Sequence, residues 1–121
     1  MQYLLLINTA EDGWATLTEA EQNEMYAAYG AYTEEIRAKG VMIGGDQLAP
    51  SSAATTVRVR DGETLVTDGP FAETKEQLGG YYLIEAESID EAIEWAAKIP
   101  GAKFGVIEVR PVVLQPSEVA G

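Results

Sequence analysis

Tyr3-Leu4-Leu5-Leu6-Ile7 is apolar on both of the alternating side-chain sets that a strand presents, and this limits the fold more than any other stretch. A strand of that kind must be covered on both faces. Tyr81-Tyr82-Leu83-Ile84 has the same character. Two such strands in a chain of 121 residues place a doubly covered sheet at the centre of one domain, and 121 residues suffice to bury a core without staples.

Between and after these strands the sequence carries helix and turn signals in a fixed order. Thr18 with Glu21 three residues later forms a capping box, and Met25, Ala28, Tyr29, Tyr32 and Ile36 follow at helical spacing until Gly40 stops the helix. Asp12, Gly13 and Trp14 before it read as a loop. Val41-Met42-Ile43 reads as the second strand, and Gly44-Gly45 as a bend or a close backbone approach. Thr56-Val57-Arg58-Val59-Arg60 alternates with period two, Asp61-Gly62 signals a two-residue hairpin, and Glu63 to Thr67 returns. Ala72 to Leu78 reads as one or two helical turns released by Gly79-Gly80. Ser88 and Glu91 cap a second helix with Ile89, Ala92, Ile93, Ala96 and Ala97 on its stripe and Trp95 and Ile99 flanking it, and Phe104 to Val113 carries the last strand.

Without the hairpin and the turn segment the order is βαββαβ, so the expected fold is α+β and ferredoxin-like, with one domain over 1–114 and a loose tail over 115–121. Helices in such a fold cover one sheet face only. The doubly apolar strands therefore call for a second copy of the chain on the other face, which predicts a homodimer.

The stretch Thr67-Asp68-Gly69-Pro70-Phe71-Ala72-Glu73-Thr74-Lys75 holds the densest mixture of turn chemistry and charge. Gly69-Pro70 enforces a change of direction. Asp68 cannot bond to an N–H two residues on, because that residue is Pro70, so it either caps the N–H of Phe71 or faces a pocket.

Composition removes whole classes of function. With 8 Lys and Arg against 20 Asp and Glu the net charge is −12, which opposes nucleic acid and anionic membranes. No apolar run approaches the ~20 residues of a membrane span and the N-terminus has no basic signal region, so the expected location is cytoplasmic. The sequence contains neither Cys nor His. Thiol nucleophiles, imidazole dyads and triads, and ordinary zinc sites are thereby excluded, and proton transfer falls to Asp, Glu, Lys or Tyr. Asp46, Asp68 and Glu73 show no ligand spacing for Mg²⁺ or Ca²⁺, so neither a metal nor another cofactor is expected.

The run Val66-Thr67-Asp68-Gly69-Pro70-Phe71-Ala72-Glu73-Thr74-Lys75-Glu76-Gln77-Leu78-Gly79-Gly80-Tyr81-Tyr82-Leu83-Ile84 resembles the signature of the DGPF-domain proteins in the YCII-related superfamily. Thr55 to Gly62 and Asp90 to Ala96 fit the same family. The resemblance implies a bacterial, cytoplasmic, dimeric α/β barrel of ferredoxin-like halves with no assigned reaction, and a stress or sigma-factor-linked setting in which a sigma factor would be a partner. The wider superfamily resembles small lyases and isomerases, and one branch removes chloride from a chlorinated hydroquinone with a His-Asp pair. Lacking His, this chain keeps at most the Asp, at Asp46 or Asp68.

Two functions follow as expectations. In the first, the protein binds a small molecule in a cleft near Asp68. In the second it is a lyase or isomerase in which Asp68 or Asp46 is the base, Tyr29 or Tyr32 donates a hydrogen bond, and Arg58 or Lys75 holds an anion.

Overall fold

The computed structural model describes residues 1–115, so the expected tail lies, Gln115 apart, outside the described residues. Strands β1 (Gln2–Thr9), β2 (Met42–Gln47), β5 (Gln77–Glu85) and β6 (Val106–Pro111) form one antiparallel sheet in the order β2-β5-β1-β6. Strands β3 (Thr55–Arg60) and β4 (Glu63–Asp68) form a separate two-stranded hairpin. Helices α1 (Glu11–Ala15), α2 (Glu19–Ala38) and α3 (Ile89–Ala97) complete the chain, with 3-10 turns at Ser51–Ala53 and Pro100–Lys103. This is the expected ferredoxin-like α+β fold with the hairpin inserted. Among the described residues no helix is long and apolar enough to cross a membrane.

The core lies on one face of the sheet. Tyr3, Leu5 and Ile7 of β1 and Tyr82 and Ile84 of β5 point to it, meeting Tyr32 and Ile36 of α2 and Ala92, Trp95 and Ala96 of α3. The Tyr32 and Tyr82 rings meet edge to face at 5.1 Å, a preferred aromatic geometry. On the other face Leu4 pairs with Leu83 and Leu6 with Tyr81, all only half-buried, and Ile43, Leu78 and Val106 are exposed.

Both helix starts are capped where the sequence places them, the first by a closed box and the second by the Ser88 half of one. Thr18 accepts the N–H of Glu21 and Glu21 accepts that of Thr18, closing the capping box, and these two bonds hold the Glu21 carboxyl below its ordinary value. Ser88 accepts the N–H of Glu91, whose carboxylate reaches back to Glu87. Gly40 has the positive φ of +70° that ends α2. The hairpin turns through Asp61 and Gly62, both at positive φ, with Arg60 opposite Glu63.

Several local expectations fail for tertiary reasons. Trp14 lies in α1, not a loop: Glu11 and Asp12 supply its acidic first turn, and Gly13 concealed so short a helix. Strand β2 does not end at Ile43; it runs through Gly44-Gly45 because the backbone of β5 lies against them. Ala72 to Leu78 is not helical, and Gln77 to Gly80 open β5. Ala28 is exposed, and α3 buries Trp95 while Ile89 and Ile93 stay exposed, so its inward stripe is turned from the one expected. The last strand is shorter than Phe104 to Val113 and leaves Phe104 exposed.

Candidate functional site

Register explains a large cleft. On the helix-facing side of the sheet, Gly45 stands opposite Tyr82 and Gly80 opposite Gln47, so two neighbouring positions carry no side chain toward α2. A Cβ on Gly45 would lie 2.8 Å from the Tyr81 carbonyl oxygen and 2.9 Å from the Tyr82 ring; one on Gly80 would lie 3.0 Å from the Asp46 carbonyl oxygen. Glycine is required at the first and strongly favoured at the second. Above this bare floor lies a cleft of about 830 Å³. That volume suits a small organic ligand.

Helix α2 forms one wall through Met25, Tyr26, Tyr29 and Thr33, and α1 adds a lip through Trp14. The Trp14 and Tyr26 rings meet edge to face with centroids 5.2 Å apart. Glu11 fastens the lip. Its carboxylate accepts the Ser51 N–H at 2.7 Å and the Ser51 hydroxyl, joining α1 to the loop after β2. Those bonds, the hydroxyl's first, hold the Glu11 carboxyl below its ordinary value.

Tyr29 reaches across the cleft to the turn after α3, where its phenolic oxygen accepts the Gly101 N–H at 3.1 Å. A Cβ on residue 101 would lie 2.5 Å from that oxygen, so only glycine leaves room for the contact. Burial raises the Tyr29 pKa, which keeps the phenol protonated at neutral pH. Deeper in, the Thr33 and Tyr82 hydroxyls are 2.8 Å apart.

A model of the YCII-related domain matches residues 1–115. The chain belongs to the YCII-related family. Uncharacterized protein R00369 of Rhizobium meliloti (strain 1021) is 38% identical to this YCII-related protein over 122 residues, covering 98% of each chain. Among solved structures, 5-chloro-2-hydroxyhydroquinone dehydrochlorinase from Burkholderia phenoliruptrix AC1100, in complex with 2,5-dihydroxybenzoquinone, superposes with a TM-score of 0.59 at 19% identity. That match covers 98% of this chain and 99% of the other and establishes a shared fold.

The residues singled out in the sequence of this YCII-related protein fall in different places. Tyr29 lines the cleft. Tyr32, one turn along α2, is 4% exposed and donates to the Trp95 carbonyl at 2.9 Å, so its hydroxyl is spent inside the core; burial first, then neighbouring ionisable groups, push its pKa up. Asp46 borders the cleft through its strand, but its register opposite Tyr81 puts its carboxylate on the far side of the sheet. There it accepts the Tyr81 hydroxyl at 3.0 Å, which raises the Tyr81 pKa.

Asp68 ends β4 at the hairpin root, exposed and outside the cleft lining. It does not cap Phe71: the turn is held by the Gly69 N–H on the Ala54 carbonyl at 2.7 Å and by the Thr56 hydroxyl on the Gly69 carbonyl at 2.8 Å. Phe71 is 82% exposed. Arg58 stands exposed on the hairpin, and Lys75 borders a shallow depression with Glu11 and Glu73. Asp46 and Asp68 thus do not share the cleft. Among the lining residues that sequence reasoning missed are Trp14, Thr33, Gly45, Gly80 and Tyr82, and the two glycine pairs signalled only the floor.

Proposed function

We propose that the protein binds a small molecule in the cleft floored by Gly45 and Gly80, and that a second copy covers the open face of the sheet. The cleft supports the first part, since its floor is built by residues whose replacement the backbone does not accommodate. The half-buried Leu4, Leu6 and Leu83 on the uncovered face support the second. The dehydrochlorinase that shares the fold was solved with a small cyclic ligand, in keeping with a ligand of that size here.

A thermal-shift screen of small metabolites tests the cleft, with Gly45→Val as the variant whose floor is filled. At least one compound is expected to raise the wild-type melting temperature and leave Gly45→Val unmoved; a screen in which nothing stabilises the wild type overturns the reading. Sedimentation at micromolar concentration tests the pairing, and a monomer there overturns it.

A second reading is proton transfer on a carbonyl-bearing substrate by the Asp46–Tyr81 pair, a carboxylate and a phenol already in hydrogen-bond contact. It requires the substrate on the open face of the sheet. Loss of ligand stabilisation in Asp46→Asn would favour it over the cleft.

A further inference from the structure

The hydroxyls of the cleft decide what it can hold. Tyr29 and Thr33 are four residues apart on α2 and therefore adjacent on one helix face. The Tyr29 oxygen accepts from Gly101, and among the described residues its own O–H donates to no protein acceptor. Thr33 and Tyr82 share a single hydrogen bond, and either hydroxyl can be its donor. Two hydroxyls joined by one bond leave one O–H undonated, whichever way that bond runs. The cleft thus offers two hydroxyl donors whose natural complement is an oxygen with two lone pairs.

Charge narrows the class further. One cation, Arg37, borders the cleft, exposed and paired with Glu34 at 3.4 Å, while Glu11 lies at the lip and the chain carries −12. An anion would meet hydroxyls and apolar side chains in a field of its own sign. Trp14, Tyr26 and Phe104 supply aromatic surface at the mouth, with Ile7 and Met25 further in. Flat aromatic groups pack on such walls with offset or edge contacts.

We infer that the cleft takes an uncharged aromatic carbonyl compound, its ring against Trp14 and Tyr26 and its carbonyl oxygen accepting from Tyr29 and from the Thr33–Tyr82 pair. The inference rests on the cleft being the binding site. Raised by burial, the Tyr29 pKa keeps that donor protonated across the neutral range.

Equilibrium dialysis against three naphthalenes of one size tests it: 2-acetylnaphthalene, 2-ethylnaphthalene and 2-naphthoate. The ketone is expected to bind roughly two- to thirtyfold more tightly than the hydrocarbon, as one or two hydrogen bonds dictate, and the carboxylate most weakly. Tyr29→Phe and the double substitution Thr33→Val with Tyr82→Phe, which removes both hydroxyls of the pair, are each expected to bring the ketone-to-hydrocarbon ratio toward one, with far-UV circular dichroism confirming their fold. Equal binding of ketone and hydrocarbon, or a ratio that neither substitution moves, overturns the assignment of the donors. Tightest binding by 2-naphthoate overturns the uncharged class and leaves the cleft standing. If none of the three binds while the metabolite screen yields a ligand lost in Gly45→Val, the class is wrong and the site is right. If both experiments are blank, both fall.

Discussion

The root of the hairpin and the floor of the cleft carry opposite balances of sequence signal and structural consequence. From Thr67 to Lys75 the sequence gathers an aspartate, a Gly-Pro turn, a large aromatic and paired charges, yet Asp68 and Phe71 face solvent and the turn is tied by backbone and Thr56. Gly44-Gly45 and Gly79-Gly80 carry no functional group at all. Two of those four glycines nonetheless leave the sheet bare below α2 and floor a cleft of about 830 Å³ beside three hydroxyls. Ionisable residues draw attention because they can act, whereas a cleft is made by positions where nothing projects.

The largest expected effect tests that contrast at the floor. A side chain at residue 45 meets the carbonyl of Tyr81 and the ring of Tyr82, so Gly45→Val should destabilise the protein by about 1–3 kcal/mol through overpacking and abolish binding in the cleft. Chemical denaturation and the ligand screen read the two effects separately. Unchanged stability with full ligand binding would mean that the floor is not where register places it.

Tyr32→Phe sharpens the comparison within one helix. Tyr29 and Tyr32 were indistinguishable at the level of helical spacing, and the structure separates them, one at the cleft and one donating to the Trp95 carbonyl. Deleting the Tyr32 hydroxyl should cost about 0.5–1.5 kcal/mol, the net worth of one hydrogen bond, since the Trp95 carbonyl keeps the Lys98 N–H at 3.3 Å, and should leave cleft affinity alone. A lost ligand at unchanged stability would reverse the two tyrosines' roles.

A smaller effect is expected at the lip. The folded-state pKa of Glu11 is depressed by its bonds to Ser51, so its contribution to stability is present above the ordinary value of 4.5 and is lost as pH falls through the lower folded value. Melting temperature followed against pH should therefore fall more steeply on the acid side of 4.5 in the wild type than in Glu11→Gln. Parallel curves would show that the link between α1 and the Ser51 loop contributes nothing.

How much of this was legible follows from the range of the interactions. The Thr18 capping box, the Ser88 N-cap, the Asp61-Gly62 turn and the doubly apolar strands act over a few residues and are found where the sequence puts them, though at Ser88 the Glu91 carboxylate bonds Glu87 and leaves the second box open. The order of elements sufficed for the βαββαβ topology. What stayed hidden depends on tertiary context: which face Gly45 and Gly80 present, that Trp95 and not Ile93 turns inward, and that Asp46 and Asp68 stand in different sheets. The face that Gly45, Gly80 and Asp46 present is set by register between strands, as in Asp46 against Tyr81, 35 residues distant in sequence, and no local period encodes it.

The smallest expected effect lies at the hairpin root. Asp68 is exposed, ends its strand, and leaves the holding of the Gly69 turn to Ala54 and Thr56, so Asp68→Asn should shift stability by no more than about 0.5 kcal/mol, the usual range for a surface position. The same substitution should leave every cleft ligand's stabilisation intact. Thr56→Val offers the contrasting case, since it removes the hydroxyl that binds the Gly69 carbonyl and should loosen the turn more than loss of the Asp68 charge does. Thermal shifts on the two variants, with and without a cleft ligand, measure both effects. If Asp68→Asn abolished ligand stabilisation while Thr56→Val did not, the carboxylate itself would reach the bound molecule, and the division between hairpin root and cleft drawn from this fold would fail.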